Sequence, residues 1–181
     1  MRILIVGNGG REHALLWKLR RDAPSAEFFC TQPNGGMAPL CTAVELAASD
    51  VVALSGWAAS NRIDLTVVGP EGPLAAGIVD RFEQKGLSIF GPSKAAARIE
   101  SSKAYSKELM RSAGVPTAEH KTFSDLPGAE AWIRERGAPV VVKASGLAAG
   151  KGAIVCSTEE EALGAVRAML GDLAFGESGR R

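Results

Sequence analysis

Apolar and polar stretches alternate along the first hundred residues in a way that predicts strands separated by single helices. Arg2–Val6, apolar from Ile3 onward, and Leu65-Thr66-Val67-Val68 are runs rich in β-branched residues, as expected of strands buried on both faces. Glu27–Thr31 reads as another strand, and Ser88-Ile89-Phe90 as a short one closed by Gly91-Pro92. Between them, Leu15, Leu16 and Leu19 mark one side of a helix over Arg11–Arg20. Ser49 or Asp50 can cap a helix running to about Ser60. Leu74, Ile78, Val79 and Phe82 fall at helical spacing behind Pro73, a residue suited to the first helical position. The pattern predicts an α/β fold with a doubly wound parallel sheet.

Around Glu100 the pattern changes, which divides the chain into an N-terminal α/β unit over 1–100 and a second unit over 101–181. Ser101–Ser112 reads as a helix ended by Ala113-Gly114-Val115-Pro116, Lys121-Thr122-Phe123 as a strand, and Ser124 as the cap of a helix through Arg136. Val140-Val141-Val142 reads as a buried strand ending on Lys143, and Ala153–Cys156 as its partner across a loop of glycine and alanine. Ser157-Thr158-Glu159-Glu160 forms a capping-box signal for a helix to Leu170. Residues 171–181 have neither period nor stop signal. Two strands and a helix or two do not make a covered sheet, so the second unit reads as unfinished.

Charge and composition narrow the function. The 181 residues carry 21 Lys+Arg against 20 Asp+Glu, and no basic run is interleaved with aromatics, which argues against nucleic acid and acidic membranes as partners. No apolar run approaches the roughly 20 residues that span a bilayer. The chain enters its first strand at once, without the apolar segment of a signal peptide. Cys30, Cys41 and Cys156 lack metal-ligand spacing and read as reduced thiols of a cytoplasmic protein. His13 and His120 are isolated.

In doubly wound sheets, ligands bind beyond the carboxyl ends of the strands. Three loops with ligand-type chemistry leave there: Gly7-Asn8-Gly9-Gly10-Arg11-Glu12, Gly69-Pro70-Glu71-Gly72-Pro73 and Gly91-Pro92-Ser93. The first sits where a dinucleotide fingerprint sits, yet that fingerprint needs a third small residue where Glu12 stands. It also needs an acid at the end of the second strand, which here closes Cys30-Thr31-Gln32. A nicotinamide-dependent oxidoreductase is disfavoured on both counts. A glycine-opened helix N-terminus still suits a single phosphate, with Arg11 as a bidentate clamp.

The second chemistry-bearing stretch is Lys143-Ala144-Ser145-Gly146-Leu147-Ala148-Ala149-Gly150-Lys151-Gly152. Three residues separate Gly146 from Gly150-Lys151-Gly152, no hydroxyl follows, and a strand comes next, so this is not a P-loop. It reads as a strand–loop–strand flap that could fold over phosphates, or as a plain surface hairpin with two solvated lysines. A lysine ending a buried strand calls for an anionic partner, either a carboxylate or a ligand phosphate.

Five segments in order carry a family resemblance: Gly7–Ala14, Asp64–Glu71, Ile89–Pro92, Ser102–Lys107 and Lys143–Gly152. Together they resemble the phosphoribosylamine–glycine ligases (glycinamide ribonucleotide synthetases), ATP-grasp enzymes of purine biosynthesis. The resemblance covers essentially the whole chain. It implies a Rossmann-like pre-ATP-grasp domain followed by the start of an ATP-grasp domain. It implies a reaction in which ATP phosphorylates glycine and the amine of 5-phosphoribosylamine attacks the glycyl phosphate, giving glycinamide ribonucleotide, ADP and phosphate. It implies that Gly7, Asn8, Gly9, Gly10, Arg11, Glu12 and Glu71 face phosphoribosylamine. Lys103, Lys143, Ser145, Gly146, Gly150, Lys151 and Gly152 would serve ATP; the family often has Asp where this chain has Ser145. No catalytic residue is assigned. The family's magnesium ligands are expected beyond Arg181, so the chain reads as an N-terminal portion that is inactive alone. The alternative is a non-catalytic module that binds a phosphoribose or nucleotide.

Overall fold

A computed structural model describes residues 1–148, 151–172, 174 and 176. The chain forms two compact units, Met1–Ala97 and Arg98–Arg181.

The first unit is built on a five-stranded sheet. In chain order it contains β1 (Arg2–Val6), α1 (Gly10–Asp22), β2 (Glu27–Thr31), β3 (Thr42–Val44), α2 (Val51–Ser60), β4 (Leu65–Val68), α3 (Glu71–Ala76), α4 (Ile78–Gln84) and β5 (Ile89–Phe90). The sheet order is β3-β2-β1-β4-β5, and every pairing is parallel. The alternation of a strand accounts for the continuous apolar runs. Leu4 and Val6 point into a core with Phe29, Leu54, Val68 and Phe82, whereas Ile3 and Ile5 point into another with Leu16, Phe28, Met37 and Val67. Both faces of β1 are thus buried, and neither alternate position can be polar.

Some local details go beyond or against the expectations. Residues 42–44 form an edge strand that was not anticipated; with Thr42 and Ala43 exposed, the segment carries no buried alternation to read. The helix expected behind Pro73 is two helices, broken where Gly77 adopts φ +89°, and Pro73 is the third residue of α3 rather than the first. The Gly91 loop packs closely: a Cβ there would meet Leu74 Cδ2 at 2.8 Å and Val79 Cγ2 at 3.2 Å. Asp50, not Ser49, caps α2, its Oδ1 accepting from the Ala53 N–H at 2.9 Å.

The boundary between units falls within α5 (Lys94–Ser101). The second unit continues with α6 (Lys103–Ser112), α7 (Leu126–Arg136), β6 (Val140–Lys143), β7 (Ala153–Cys156) and α8 (Glu159–Val166), which runs on into a wider turn over Arg167–Gly171. β6 and β7 pair antiparallel, and one face of this hairpin packs Val142, Ile154 and Cys156 on Ala129 and Ile133 of α7 and Ala162 and Ala165 of α8. The three valines are therefore not all buried. Val141 and its cross-strand neighbour Val155 lie on the outer face, 45% and 74% exposed, because helices cover only one side.

Other expectations shift here too. Ser101 ends α5, and Ser102 caps the next helix by accepting from the Tyr105 N–H at 3.3 Å. Residues 121–123 pair with no strand among the described residues; Phe123 instead packs against Trp132, ring centroids 5.9 Å apart. Asp125 rather than Ser124 caps α7, its Oδ1 accepting from the Gly128 N–H at 2.7 Å. The capping box of α8 is closed by Glu161 rather than Glu160. Replacing Asp125 with alanine is expected to cost about 1 kcal/mol, the usual loss for a cap. Urea denaturation of the chain checks this, with Ser124→Ala as the neutral control.

Candidate functional site

The order β3-β2-β1-β4-β5 makes a topological switch point between β1 and β4, because connections from these neighbours run to opposite sides of the sheet. The loops after the two strands therefore meet. Gly7 turns away from β1 at φ +113°, where only glycine is comfortable, and its N–H donates to the buried Thr31 Oγ1 at 2.8 Å. Gly69 follows β4 and donates its N–H to Val6 O at 3.1 Å.

Arg11 and Glu71 come from the two loops and meet there, Arg11 Nη2 donating to Glu71 Oε2 at 2.9 Å. Both side chains remain open to solvent. The Arg11 hydrogen bond, ahead of one from the Glu71 backbone N–H, holds the Glu71 carboxyl below its ordinary value of 4.5. Because the folded value is the depressed one, the pair's contribution is present above 4.5 and fades as pH falls through the lower folded value. The effect on stability is small, under about 1 kcal/mol for such a surface pair. A carboxyl titration followed by NMR should give a Glu71 midpoint below 4.5, returning toward 4.5 in Arg11→Ala.

Glu12 is only 2% exposed, and its carboxylate lies between the two loops, against Gly9 and Gly69. Oε2 accepts from the Gly9 N–H at 2.6 Å, while Oε1 accepts no hydrogen bond from the described residues and lies 3.8 Å from Arg11 Nε. Asn8 is likewise engaged, its Nδ2 donating to Gln32 O at 3.1 Å. Gly10 stays open, since a Cβ there would meet nothing within 4 Å.

A third loop joins these, and sequence reasoning missed it. Asn34 Nδ2 donates to Asn8 O at 2.7 Å, and its Oδ1 accepts from the N–H groups of Gly36 and Met37 at 2.9 and 3.1 Å. The turn signal Pro33-Asn34-Gly35-Gly36 was legible, but not that its side chain would reach back to the first glycine loop.

In the second unit, Lys103, Ser145 and Gly146 come together. The Lys103 N–H donates to Ser145 O at 2.8 Å and its Nζ to Gly146 O at 3.0 Å. Ser145 Oγ accepts from the Ala104 N–H at 3.1 Å, so it anchors the start of α6. Lys143 is exposed on the hairpin's outer face, and no carboxylate among the described residues pairs with it. Lys151 is exposed as well, its N–H donating to Ala148 O at 2.9 Å, while a Cβ on Gly152 would meet Ala148 Cβ at 2.5 Å. Gly150 lies outside the described residues. The thiols of Cys30 and Cys156 are pushed up, first by burial, as suits packed core groups. No three His, Cys, Asp or Glu side chains among the described residues converge as a metal would need, and no described helix is long and apolar enough to cross a membrane.

Residues 101–181, which hold the lysine-bearing antiparallel hairpin, match an ATP-grasp domain, and this places the chain among the ATP-grasp proteins. The fold of a biotin carboxylase from Campylobacter jejuni is similar over 98% of this chain and 43% of that one, with a TM-score of 0.75 at 20% identity. The chain belongs to the phosphoribosylglycinamide synthetase family, residues 1–100 matching its N domain and 101–181 its ATP-grasp (A) domain. A phosphoribosylamine–glycine ligase of Pasteurella multocida is 50% identical over all of this chain. The crystal structure of the Thermotoga maritima phosphoribosylamine–glycine ligase aligns with 97% of the chain and 41% of its own, with a TM-score of 0.77 and 27% identity. The chain spans 43% of the length of the curated relatives it matches.

Proposed function

We propose that this chain supplies the phosphoribosylamine-binding loops and part of the ATP-binding surface of a ligase that joins glycine to 5-phosphoribosylamine. The observation that carries the reading is the meeting of the Gly7–Arg11 and Gly69–Glu71 loops at the switch point. There a glycine-opened helix N-terminus and a guanidinium can receive the phosphate of a sugar phosphate. Glu71, already at Arg11's side, can accept from the sugar's hydroxyls or amine.

Lys143 and Lys151 are exposed cations at the two ends of one hairpin loop, and Lys103 lies on the segment that the loop grips. Such a set suits a polyphosphate. When bound, ATP supplies the phosphoryl group that activates the glycine carboxylate. The reaction brings anions together, so lysines that offset their repulsion and a loop that excludes water serve it directly. The magnesium that accompanies ATP is not placed on any side chain described here.

The test joins this chain in frame to the remaining part of the Pasteurella multocida relative and measures ADP release with ATP, magnesium and fresh phosphoribosylamine. Glycine-dependent release is expected, with binding but no turnover from the chain alone. ATP hydrolysis indifferent to glycine in the joined protein would overturn the ligase reading in favour of a nucleotide- or phosphoribose-binding module.

A further inference from the structure

The Glu12 side chain fills a socket made by three glycines from two loops. A Cβ on Gly7 would meet Glu12 Cγ at 2.8 Å, one on Gly9 would meet Oε2 at 2.9 Å, and one on Gly69 would overlap Oε1. These glycines are therefore required by an internal carboxylate. Gly10, where a Cβ would meet nothing within 4 Å, is the open glycine of the first loop.

Burying a carboxylate whose second oxygen accepts no hydrogen bond is unfavourable unless nearby charge offsets it. Here the offset comes from the first turn of α1 and from Arg11 Nε, 3.8 Å from Oε1. Arg11 is thus held on its Nε side by a buried anion and on its Nη2 side by Glu71 at 2.9 Å.

We propose that Glu12 is the positioning residue of the switch-point site. Seated in the Gly7–Gly9–Gly69 socket, it sets the spacing of the two loops and aims the Arg11 guanidinium, without touching the ligand. This rests on the sugar-phosphate reading of the site and assigns Glu12 a role different from the substrate contact that the family resemblance implied.

Glu12→Gln separates aiming from capping. The amide oxygen still accepts the Gly9 N–H, so the cap survives, but the amide NH2 replaces the anion beside Arg11 Nε. The probe is ribose 5-phosphate, titrated calorimetrically into the full chain at low salt. The expected result is thermal stability close to the parent with affinity about tenfold weaker, the usual scale for one lost charge-assisted contact. In the Arg11→Ala background the same substitution should add nothing further. Parent-like affinity in Glu12→Gln, or a loss that persists on top of Arg11→Ala, overturns the positioning role.

A second measurement needs no ligand. Gly69→Ala should lower the melting temperature in the parent and much less in the Glu12→Ala background, because the added methyl then enters the emptied socket. Equal losses in the two backgrounds overturn the socket. If the parent itself does not bind ribose 5-phosphate, the sugar-phosphate reading fails and so does Glu12's role toward it. The melting-temperature cycle then still decides whether the carboxylate fills the socket.

Discussion

Gly7→Ala is expected to remove about 3–5 kcal/mol of the first unit's stability. Gly7 sits at φ +113°, a conformation that L side chains rarely adopt, and such a backbone state costs roughly 1–3 kcal/mol for another residue. The new Cβ would also lie 2.7 Å from Pro70 Cδ and 2.8 Å from Glu12 Cγ, both on segments that cannot yield easily. Pro70 is a ring held between β4 and α3, and Glu12 is pinned by its bond to Gly9. Together these terms reach about 3–5 kcal/mol, a large part of the ~5–15 kcal/mol that holds a domain folded. Circular dichroism through a urea titration measures the loss, with Gly10→Ala, which meets no neighbour, as the control. A loss below about 1 kcal/mol in Gly7→Ala would mean that the first loop does not take this conformation.

Arg11→Ala is expected to remove most of the affinity for a sugar phosphate while sparing the fold. Hydrogen bonds to charged groups are worth about 1.5–3 kcal/mol when lost, which corresponds to roughly 10- to 150-fold in the dissociation constant. The fold loses little, since the Arg11–Glu71 pair is solvent-exposed and such pairs contribute about 0–1 kcal/mol. Arg11→Lys keeps the charge without the planar fork and should fall between the two. Calorimetric titration with ribose 5-phosphate at low salt measures all three. Equal affinities would remove Arg11 from the site and leave the helix N-terminus as its only cation-like element.

Much of this was legible because the physics was local. β1, β2 and β4 announce themselves since both faces are buried, so nearly every inner position is apolar, with Thr31 and Thr66 the buried exceptions, and no alternation competes. The glycine loops were legible because they leave the carboxyl ends of those strands, and parallel topology brings such ends to one edge. What failed depended on partners far along the chain. β3 exists because Phe29, Cys30 and Thr31 offer an open edge, not because Thr42-Ala43-Val44 insists on being a strand. Phe123 looked like a strand residue and is instead a lid on Trp132. Val141 looked buried because the run of valines does not reveal that helices cover a single face. Periodicity also ran through Gly77, whose positive φ broke one expected helix into two.

The candidate site divides along the same line. Arg11 and Glu71 could each be picked out, but their ion pair spans sixty residues and follows only from the β1–β4 neighbourhood. Glu12 was identifiable as the wrong residue for a dinucleotide fingerprint, whereas its burial depends on Gly69, which no local pattern connects to it. Lys103 alone was an ordinary early-helix lysine. Its bond to Gly146 O ties it to the hairpin loop and raises it above a solvated surface charge.

The most direct measurement is a two-dimensional amide NMR titration of this chain with ribose 5-phosphate. The expected result is a saturable set of shifts centred on the N–H groups of Gly9, Gly10, Arg11 and Glu71, with the β6–β7 hairpin unmoved. Shifts confined to the hairpin, or none at millimolar ligand, would contradict the placing of the sugar-phosphate site at the switch point.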